Sequence, residues 1–350
     1  MPVTPIGTRG TEDRSLPAMG RHIGSAPVRT GLSGNRAVFA PVAIVVVIGA
    51  IFISVYLAAF HAPVPRDLPV AVVGTAADAE RMEALLRDRA PHAFQVGALP
   101  DESAGRAAVE HGEVFAVYEP RAAAGPRVLY AGAHGPSVTG LVTDAFARAA
   151  TDGERPESLD VVPASPRDTR GLVVFYTTFG LVLSGYLFGI MTYQLAPRIA
   201  LRQRLASLAV FGAGGGVVVA AVVRAFDVLP APFLGVAGLV ALVALAVGAA
   251  TMTLVRTFGV VGSSSAAVLF MTLGNATSGG SLPAYFLPGW LHPFSFVLPV
   301  GVGVRAVNGL AFFHGDGVAR AVAVLSAWTL AGVIGLRYRE RALGRRTEGH

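Results

Sequence analysis

The sequence predicts an α-helical polytopic membrane protein with about six transmembrane helices and a small extracytoplasmic α/β domain between helices 1 and 2. Three observations support this fold class. Hydrophobic residues make up 53% of the chain and charged residues only 14%, long uncharged stretches recur, and arginine clusters between them. A composition this apolar lies outside the usual range of soluble domains, so the chain is expected to need a lipid bilayer.

Six stretches are long enough to cross a membrane, which takes about 20 consecutive apolar residues in a helix. The first, 37–60, exceeds the apolar core of a signal peptide and follows 36 residues, so an uncleaved anchor is favoured over a cleaved signal. Serines at 263–265 interrupt the fifth stretch, and their small size favours close helix packing over solute binding. The other five stretches are 171–195, 205–223, 233–255, 258–276 and 318–336.

Arginine placement predicts the orientation, because short loops rich in basic residues stay on the cytoplasmic side. Arginines cluster in the tail 1–36, after the second span and in the basic tail 337–350. With six spans all three clusters fall on one side. We therefore expect the plasma membrane of a bacterium, both termini in the cytoplasm and a disordered tail 1–36. The clusters are Arg9, Arg14, Arg21, Arg29 and Arg36; Arg198, Arg202 and Arg204; and Arg337, Arg339, Arg341, Arg345 and Arg346.

The segment 61–170, between the first two spans, is then outside the cytoplasm. It carries 11 arginines against 16 acidic residues, whereas the whole chain has a net charge of +6. The basic excess therefore belongs to the cytoplasmic segments, and it gives no indication of nucleic-acid binding.

Short strands and amphipathic helices alternate within 61–170, which predicts a small α/β domain. A solute-binding or partner-binding role and a plain structural role both remain open for it. Apolar runs predict strands at Leu68–Val73, 114–118, 128–131 and 158–162. Helices are predicted at Ala76–Arg89, from Asp101 to about His111, and around Val138, Leu141, Val142 and Phe146.

The missing residue types limit the chemistry. The chain has no cysteine and no lysine, so disulfides, thiolate metal sites and the Walker phosphate-binding loop are excluded. Its eight histidines show no metal-ligand spacing and are interpreted as surface or interface residues. No Asp or Glu falls inside the predicted spans, which disfavours a proton-coupled antiporter. We expect no catalytic residue, no cofactor and no metal in this chain.

A proline-punctuated stretch near the C-terminus carries the candidate site. It runs from Gly274 as GNATSGGSLPAYFLPGWLHPFSFVLPVGVGVRAVNGLAFFHGDG. Residues 278–313 are too apolar for a free loop, yet proline disrupts a continuous helix. They predict a re-entrant segment that enters the outer leaflet and returns, with Trp290 and His292 near the interface; a surface loop lying flat on the bundle is the alternative. The candidate residues are Ser278, Gly279, Gly280, Pro283, Pro288, Pro293, Pro299 and Arg305.

This stretch resembles the C-terminal signature of the YhgE/Pip (phage infection protein) group, in a short actinobacterial form, within the type-2 ABC transporter permease class. The outer segment is also similar, with LPVAVV at Leu68–Val73 and AAVEHGEVFAVYEP at 107–120. It is shorter than in the large members and has no coiled-coil region.

The resemblance implies a permease subunit of an export system, as a homodimer or heterodimer, with the ATPase on a separate polypeptide. Its substrate would be a lipid-like, peptide or drug-like molecule. The alternative is a non-transport role as an envelope scaffold or a membrane component of a secretion complex.

Overall fold

The computed structural model describes residues 35–123, 125–150, 155–168 and 170–347. The predicted tail 1–36 lies outside the described residues except for its last two, and so do the last three residues of the tail 337–350. The chain forms two units, Met1–Val46 and Val47–His350. Helix α1 (Asn35–Phe60) begins in the first unit and ends in the second.

An α/β domain follows α1 and contains a five-stranded sheet with the strand order β2-β1-β3-β4-β5. Strand β1 is parallel to β2 and β3, β4 is antiparallel to β3, and β5 is parallel to β4. The elements are β1 (Leu68–Val73), α2 (Ala76–Arg89), β2 (Phe94–Leu99), α3 (Glu102–Glu110), β3 (Ala116–Glu119), β4 (Arg127–Tyr130), α4 (Pro136–Ala149) and β5 (Glu157–Asp160).

Local sequence signals explain where these helices begin. Thr75 and Asp78 form a reciprocal capping box at the start of α2, and Asp101 accepts a 2.8 Å hydrogen bond from the Ala104 amide at the start of α3. Pro136 is the first residue of α4. The fixed φ of proline suits this position in the first helical turn. The predicted bounds of β1 and α2 are confirmed, whereas β2 was not predicted at all.

Helices cover both faces of the sheet. On one face, Val70 and Val128 are buried under α2 and α4. On the other face, Val117 and Leu129 are buried with Val109 of α3. The domain therefore has a core on each side of one sheet, and the small α/β architecture is confirmed.

Five helices among the described residues are long and apolar enough to cross a membrane, which confirms a polytopic helical membrane protein. They are α1 and four helices of a bundle: α5 (Val173–Gln194), α6 (Leu201–Phe226), α7 (Phe233–Phe258) and α11 (Val318–Thr347).

The predicted span at 258–276 has a different form in the structure. It is a shorter apolar helix over Val260–Gly274, made of α8 (Val260–Ala266) and a π-helical continuation, Ala267–Gly274. Gly259, with a φ of +59°, separates it from α7. A left-handed backbone here ends α7 and lets the chain reverse within one residue.

Helix α7 is the centre of the bundle, and glycines let neighbouring backbones approach it. Gly185 of α5 and Gly332 of α11 pack directly against the α7 backbone, as does Gly216 of α6. The pairings of successive glycines show that α5 and α11 run parallel to α7 and that α6 runs antiparallel. In a bilayer, such small-residue contacts supply most of the helix association.

Residues 275–317, which we call the bridging segment, connect the bundle and the α/β domain. They contain α9 (Phe294–Val297) and α10 (Pro299–Phe312). Phe286 is buried in the domain core beside α2 and α4, and Phe313 is buried in the core on the opposite face. Between these two anchors α10 returns to the bundle, where Gly303 packs against Val243 of α7.

The end of α1 also packs on the bridging segment. Val55 and Ala59 are buried against Leu287 and its neighbours. The side-chain amide of Asn275 donates a hydrogen bond to the Tyr56 hydroxyl.

Replacing Gly216 with alanine should destabilise the bundle, because a Cβ at this position would clash with the Ala237 carbonyl and lie 2.8 Å from the Ala241 Cβ. Overpacking of this kind costs about 1–3 kcal/mol. Gly214, two residues earlier in α6, has open space around its Cα, so Gly214→Ala is the matched control. Thermal unfolding in detergent should show a lower midpoint for Gly216→Ala only. Equal midpoints would contradict the α6–α7 packing.

Candidate functional site

A cavity of about 210 Å³ lies where the α/β domain meets the bridging segment. The domain contributes residues near the start of α4, around 133–137, together with Phe115. The linker into α5 contributes Arg170, and the bridging segment contributes residues 278–281 and 283–285 and one side of α10. The cavity is therefore built from segments that are far apart in sequence.

The cavity brings together five of the eight predicted site residues and leaves out three. Pro293 immediately precedes α9, and Pro299 is the first residue of α10, so these two prolines set helix starts. Gly279 has a φ of +75°, which turns the chain beside the cavity and favours glycine. The five lining residues are Ser278, Gly279, Gly280, Pro283 and Arg305; Pro288, Pro293 and Pro299 lie elsewhere.

Arg305 is the main charged group of α10 at the cavity. Its guanidinium lies 4.0 Å from the centre of the Phe296 ring and donates one long hydrogen bond, 3.4 Å, to the Ser295 carbonyl. Among the described residues, no carboxylate oxygen lies within 4.0 Å of it. The charge is thus placed against an aromatic ring without an ion-pair partner in the part of the chain that is described.

His134 faces the cavity from the α/β domain. Its ring lies between Phe115, with 4.2 Å between ring centres, and Phe313, with 4.7 Å. The residue is partly exposed, but its Nε2 atom is buried and has no hydrogen-bond partner among the described residues. Burial lowers the pKa of His134 to about 4, so the ring is neutral near pH 7.

Backbone contacts hold His134 in place. It ends a short 3₁₀ turn, Gly132–His134, in which the Gly132 amide donates to Asp160 Oδ1 at 2.8 Å. The Ala133 amide donates to the Val162 carbonyl at 2.9 Å. The turn is therefore attached to the end of β5, and the histidine position follows from the sheet.

The start of α4 also lines the cavity. Gly135 precedes the helix with a φ of +89° and supplies no side-chain cap, and Pro136 has no amide hydrogen. The next amide, that of Ser137, donates to no described residue. The positive end of the α4 dipole is thus directed towards the cavity without a capping carboxylate.

Sequence reasoning missed His134, Ser137 and Arg170 as site residues. The local signal was the order Gly132, His134, Pro136, in which a histidine stands between a glycine turn and a proline at a helix start. No spacing rule connects it with Arg305, because the two residues come to line one cavity only in the folded chain.

The arrangement suits binding of a small polar or anionic group. In the described part of the chain, no group of three or more His, Asp or Glu side chains is placed to hold a metal ion. Comparison with known proteins adds no assignment, since the chain matches no protein-family model, no curated protein and no solved structure.

Replacing His134 with phenylalanine should reduce the acid sensitivity of the protein. The pKa of His134 falls from 6.5 to about 4 on folding, so below about pH 6.5 the unfolded chain binds a proton that the folded chain does not. The native protein therefore loses stability between these pH values, by about 2 kcal/mol at pH 5.

Thermal unfolding of the full-length protein in detergent at about pH 7.5 and about pH 5 measures this loss. The midpoint should drop further for the wild type than for His134→Phe, whose ring preserves the stack with Phe115 and Phe313. The neighbouring titratable and charged groups are the same in both proteins, so their contributions cancel. Identical drops would contradict a His134 ring that is neutral in the folded protein.

Proposed function

We propose that this protein is a permease-like subunit of an ABC-type-2 export system that moves a lipid-like, peptide or drug-like molecule. A separate polypeptide supplies ATP hydrolysis. The observation that carries the proposal is the bridging segment, whose helices are discontinuous, enter the bundle from the domain end and return beside a cavity. Discontinuous helices of this kind form the substrate sites of many transporters.

The depth to which the bridging segment enters the bundle before it turns back, between α9 and α10, supports this function. Trp328 of α11 donates a 2.8 Å hydrogen bond to the Val297 carbonyl. Gly332, one turn further along α11, packs against Ala249 of α7, so Val297 lies level with the middle of Phe233–Phe258. From there α10 rises towards the start of α7, where Leu310 contacts Gly235.

A turn at that height is at membrane depth, because α7 by itself is long enough to cross the bilayer. Irregular backbone is tolerated there only where protein or a water-filled cavity covers it. The π-helical segment Ala267–Gly274 lies beside it, and π-helical turns are frequent at functional sites. In this proposal the chain has six crossings, counting α1 and Val260–Gly274, and 278–313 is re-entrant.

The alternative function, a scaffold in the envelope or in a secretion complex, is favoured by α1. Within the unit Val47–His350, its side chains from Val47 to Leu57 are mostly exposed and apolar. Such a surface faces either lipid or the helix of another protein. The two functions differ in one partner: the permease binds an ATPase at the end of the bundle away from the α/β domain, and the scaffold does not.

Two positions in the bridging segment test its depth because they are equally exposed in the protein. Trp290 is 58% exposed and Val297 is 55% exposed, so exposure within the protein does not distinguish them, whereas a bilayer around Val297 does. In the cysteine-free chain, Trp290→Cys should react with an impermeant thiol reagent on intact cells, whereas Val297→Cys should not.

Ala342→Cys serves as the control for orientation and should react only after lysis. Reaction of Val297→Cys from outside would contradict the re-entrant hairpin. Reaction of Ala342→Cys on intact cells would contradict cytoplasmic termini.

The connection between α5 and α6, residues 195–200, is the region where we expect the ATPase to bind. It lies at the bundle end away from the α/β domain; it contains the exposed residue Arg198, and the exposed Arg202 follows it in α6. Affinity purification of the full-length protein from its native membrane should also recover an ATP-hydrolysing polypeptide. The double variant Arg198→Glu/Arg202→Glu should recover about a tenth as much or less, because reversed charges repel an acidic partner surface.

The matched control is Arg81→Glu/Arg87→Glu, which reverses two exposed arginines of α2 in the α/β domain. It should leave recovery unchanged. If the wild type recovers no ATPase and deletion leaves export of amphipathic dyes unaltered, the scaffold function replaces the permease.

A further inference from the structure

We propose that the cavity between the α/β domain and the bridging segment binds one phosphate group, carried by the headgroup of a phospholipid-like molecule. The inference rests on the proposed function only in treating that molecule as the substrate. Binding itself can be measured without transport and without an ATPase.

The first argument is the state of Arg305. A guanidinium has five N–H donors, and Arg305 uses one of them in a long hydrogen bond and places its face on Phe296. Arg305 is partly buried and makes no direct ion pair within the described residues, although Asp316 lies in the same lining, so its charge is only partly compensated and a further negative group is favoured there. Phosphate fits best, because its oxygens match the fork of an arginine bidentately.

The second argument is the start of α4. This helix is 14 residues long, has no side-chain cap and presents the unpartnered Ser137 amide beside the cavity. Helix N-termini attract phosphate through both their free amides and their dipole. The α4 start and Arg305 line the same cavity from different elements, so an anion there contacts both.

The third argument is His134, whose buried Nε2 atom has no partner among the described residues. In the Nε2–H tautomer this nitrogen is a donor, but protein atoms enclose it, so His134 contributes a polar wall of the cavity and no direct contact with the ligand. Its ring packs between Phe115 and Phe313, so this wall of the cavity is formed before the ligand binds.

Cavity size and charge restrict the ligand. A volume of about 210 Å³ is below the ~300–1,000 Å³ of sites that enclose a drug-sized molecule, so only a headgroup fits. Arg170 and Arg305 outweigh Asp316 in the lining, which leaves the cavity positive. Arg170 and Asp316 are both exposed, and Asp316 repels a phosphate, so its removal should tighten binding.

The test uses the full-length protein in a maltoside detergent and isothermal titration calorimetry with defined probes. Dihexanoyl phosphatidylglycerol should bind, and dihexanoylglycerol, which lacks the phosphate, should not. Arg305→Gln should weaken binding of the phospholipid about tenfold or more. Asp316→Asn should tighten it about threefold.

Matched variants separate binding from folding. Arg320 lies over the same Phe296 ring at 5.0 Å but is not part of the lining, so Arg320→Gln should weaken binding less than Arg305→Gln. Ser137→Pro removes the free amide in the first helical turn, where proline is tolerated, whereas Ser137→Ala keeps it. The proline variant should bind more weakly than the alanine variant. If Arg305→Gln fails to fold, Arg305→Lys, which keeps the charge but loses the fork, should bind with reduced affinity.

The arms also identify the source of the phosphate. Binding of sn-glycerol 3-phosphate as tightly as the phospholipid would support the phosphate site and assign it to a soluble ligand. Equal binding of dihexanoylglycerol, or an affinity that neither Arg305 variant changes, would overturn the proposal. Failure here contradicts the phosphate site alone, whereas failure to recover an ATPase contradicts the permease alone.

Discussion

Close backbone packing against α7 is the constraint on which the rest of the structure depends. Lipid chains are as apolar as leucine, so helices in a bilayer associate through contact between small residues more than through burial of apolar surface. Glycines on α5, α6, α10 and α11 contact α7 at positions that range from Ala237 to Thr253. Those contacts fix how far α10 extends into the bundle, and therefore where its residues stand relative to the α/β domain.

The sequence was sufficient to predict an element of the fold where one physical rule decides its structure. Long uncharged runs have no other stable form than apolar helices, and the β-branched run of β1 and the capped start of α2 are local signals. Strand β2 was missed because only Phe94 is buried in it, so its composition is mixed. The stretch 258–276 was predicted as one regular span, whereas it is a short α-helix with a π-helical continuation. Hydrophobic periodicity does not distinguish these two forms. Helix α10 was missed because four prolines suggested irregular backbone, although none lies inside it beyond its first residue.

The site was less accessible to sequence reasoning than the fold. Glycine and proline patterns indicated Ser278, Gly279, Gly280 and Pro283, because unusual backbone is visible in sequence. His134 was not indicated, since its environment depends on Phe115 and Phe313, which meet only in three dimensions. Arg305 was expected to face protein or headgroups. Its lack of an ion pair within the described residues follows from the positions of side chains on other elements, which no single stretch of sequence encodes.

The two phenylalanines that the bridging segment places in the α/β domain have a consequence for biogenesis. Phe286 and Phe313 complete the two cores of the sheet, yet they are translated more than a hundred residues after β5. At a synthesis rate of about 5–20 residues per second, the domain waits for roughly 5 to 30 seconds with both cores open. During that interval apolar residues on each face of the sheet are uncovered. Maturation of the domain is therefore coupled to insertion of the last helices, and a chain truncated before α10 leaves an incomplete, aggregation-prone domain.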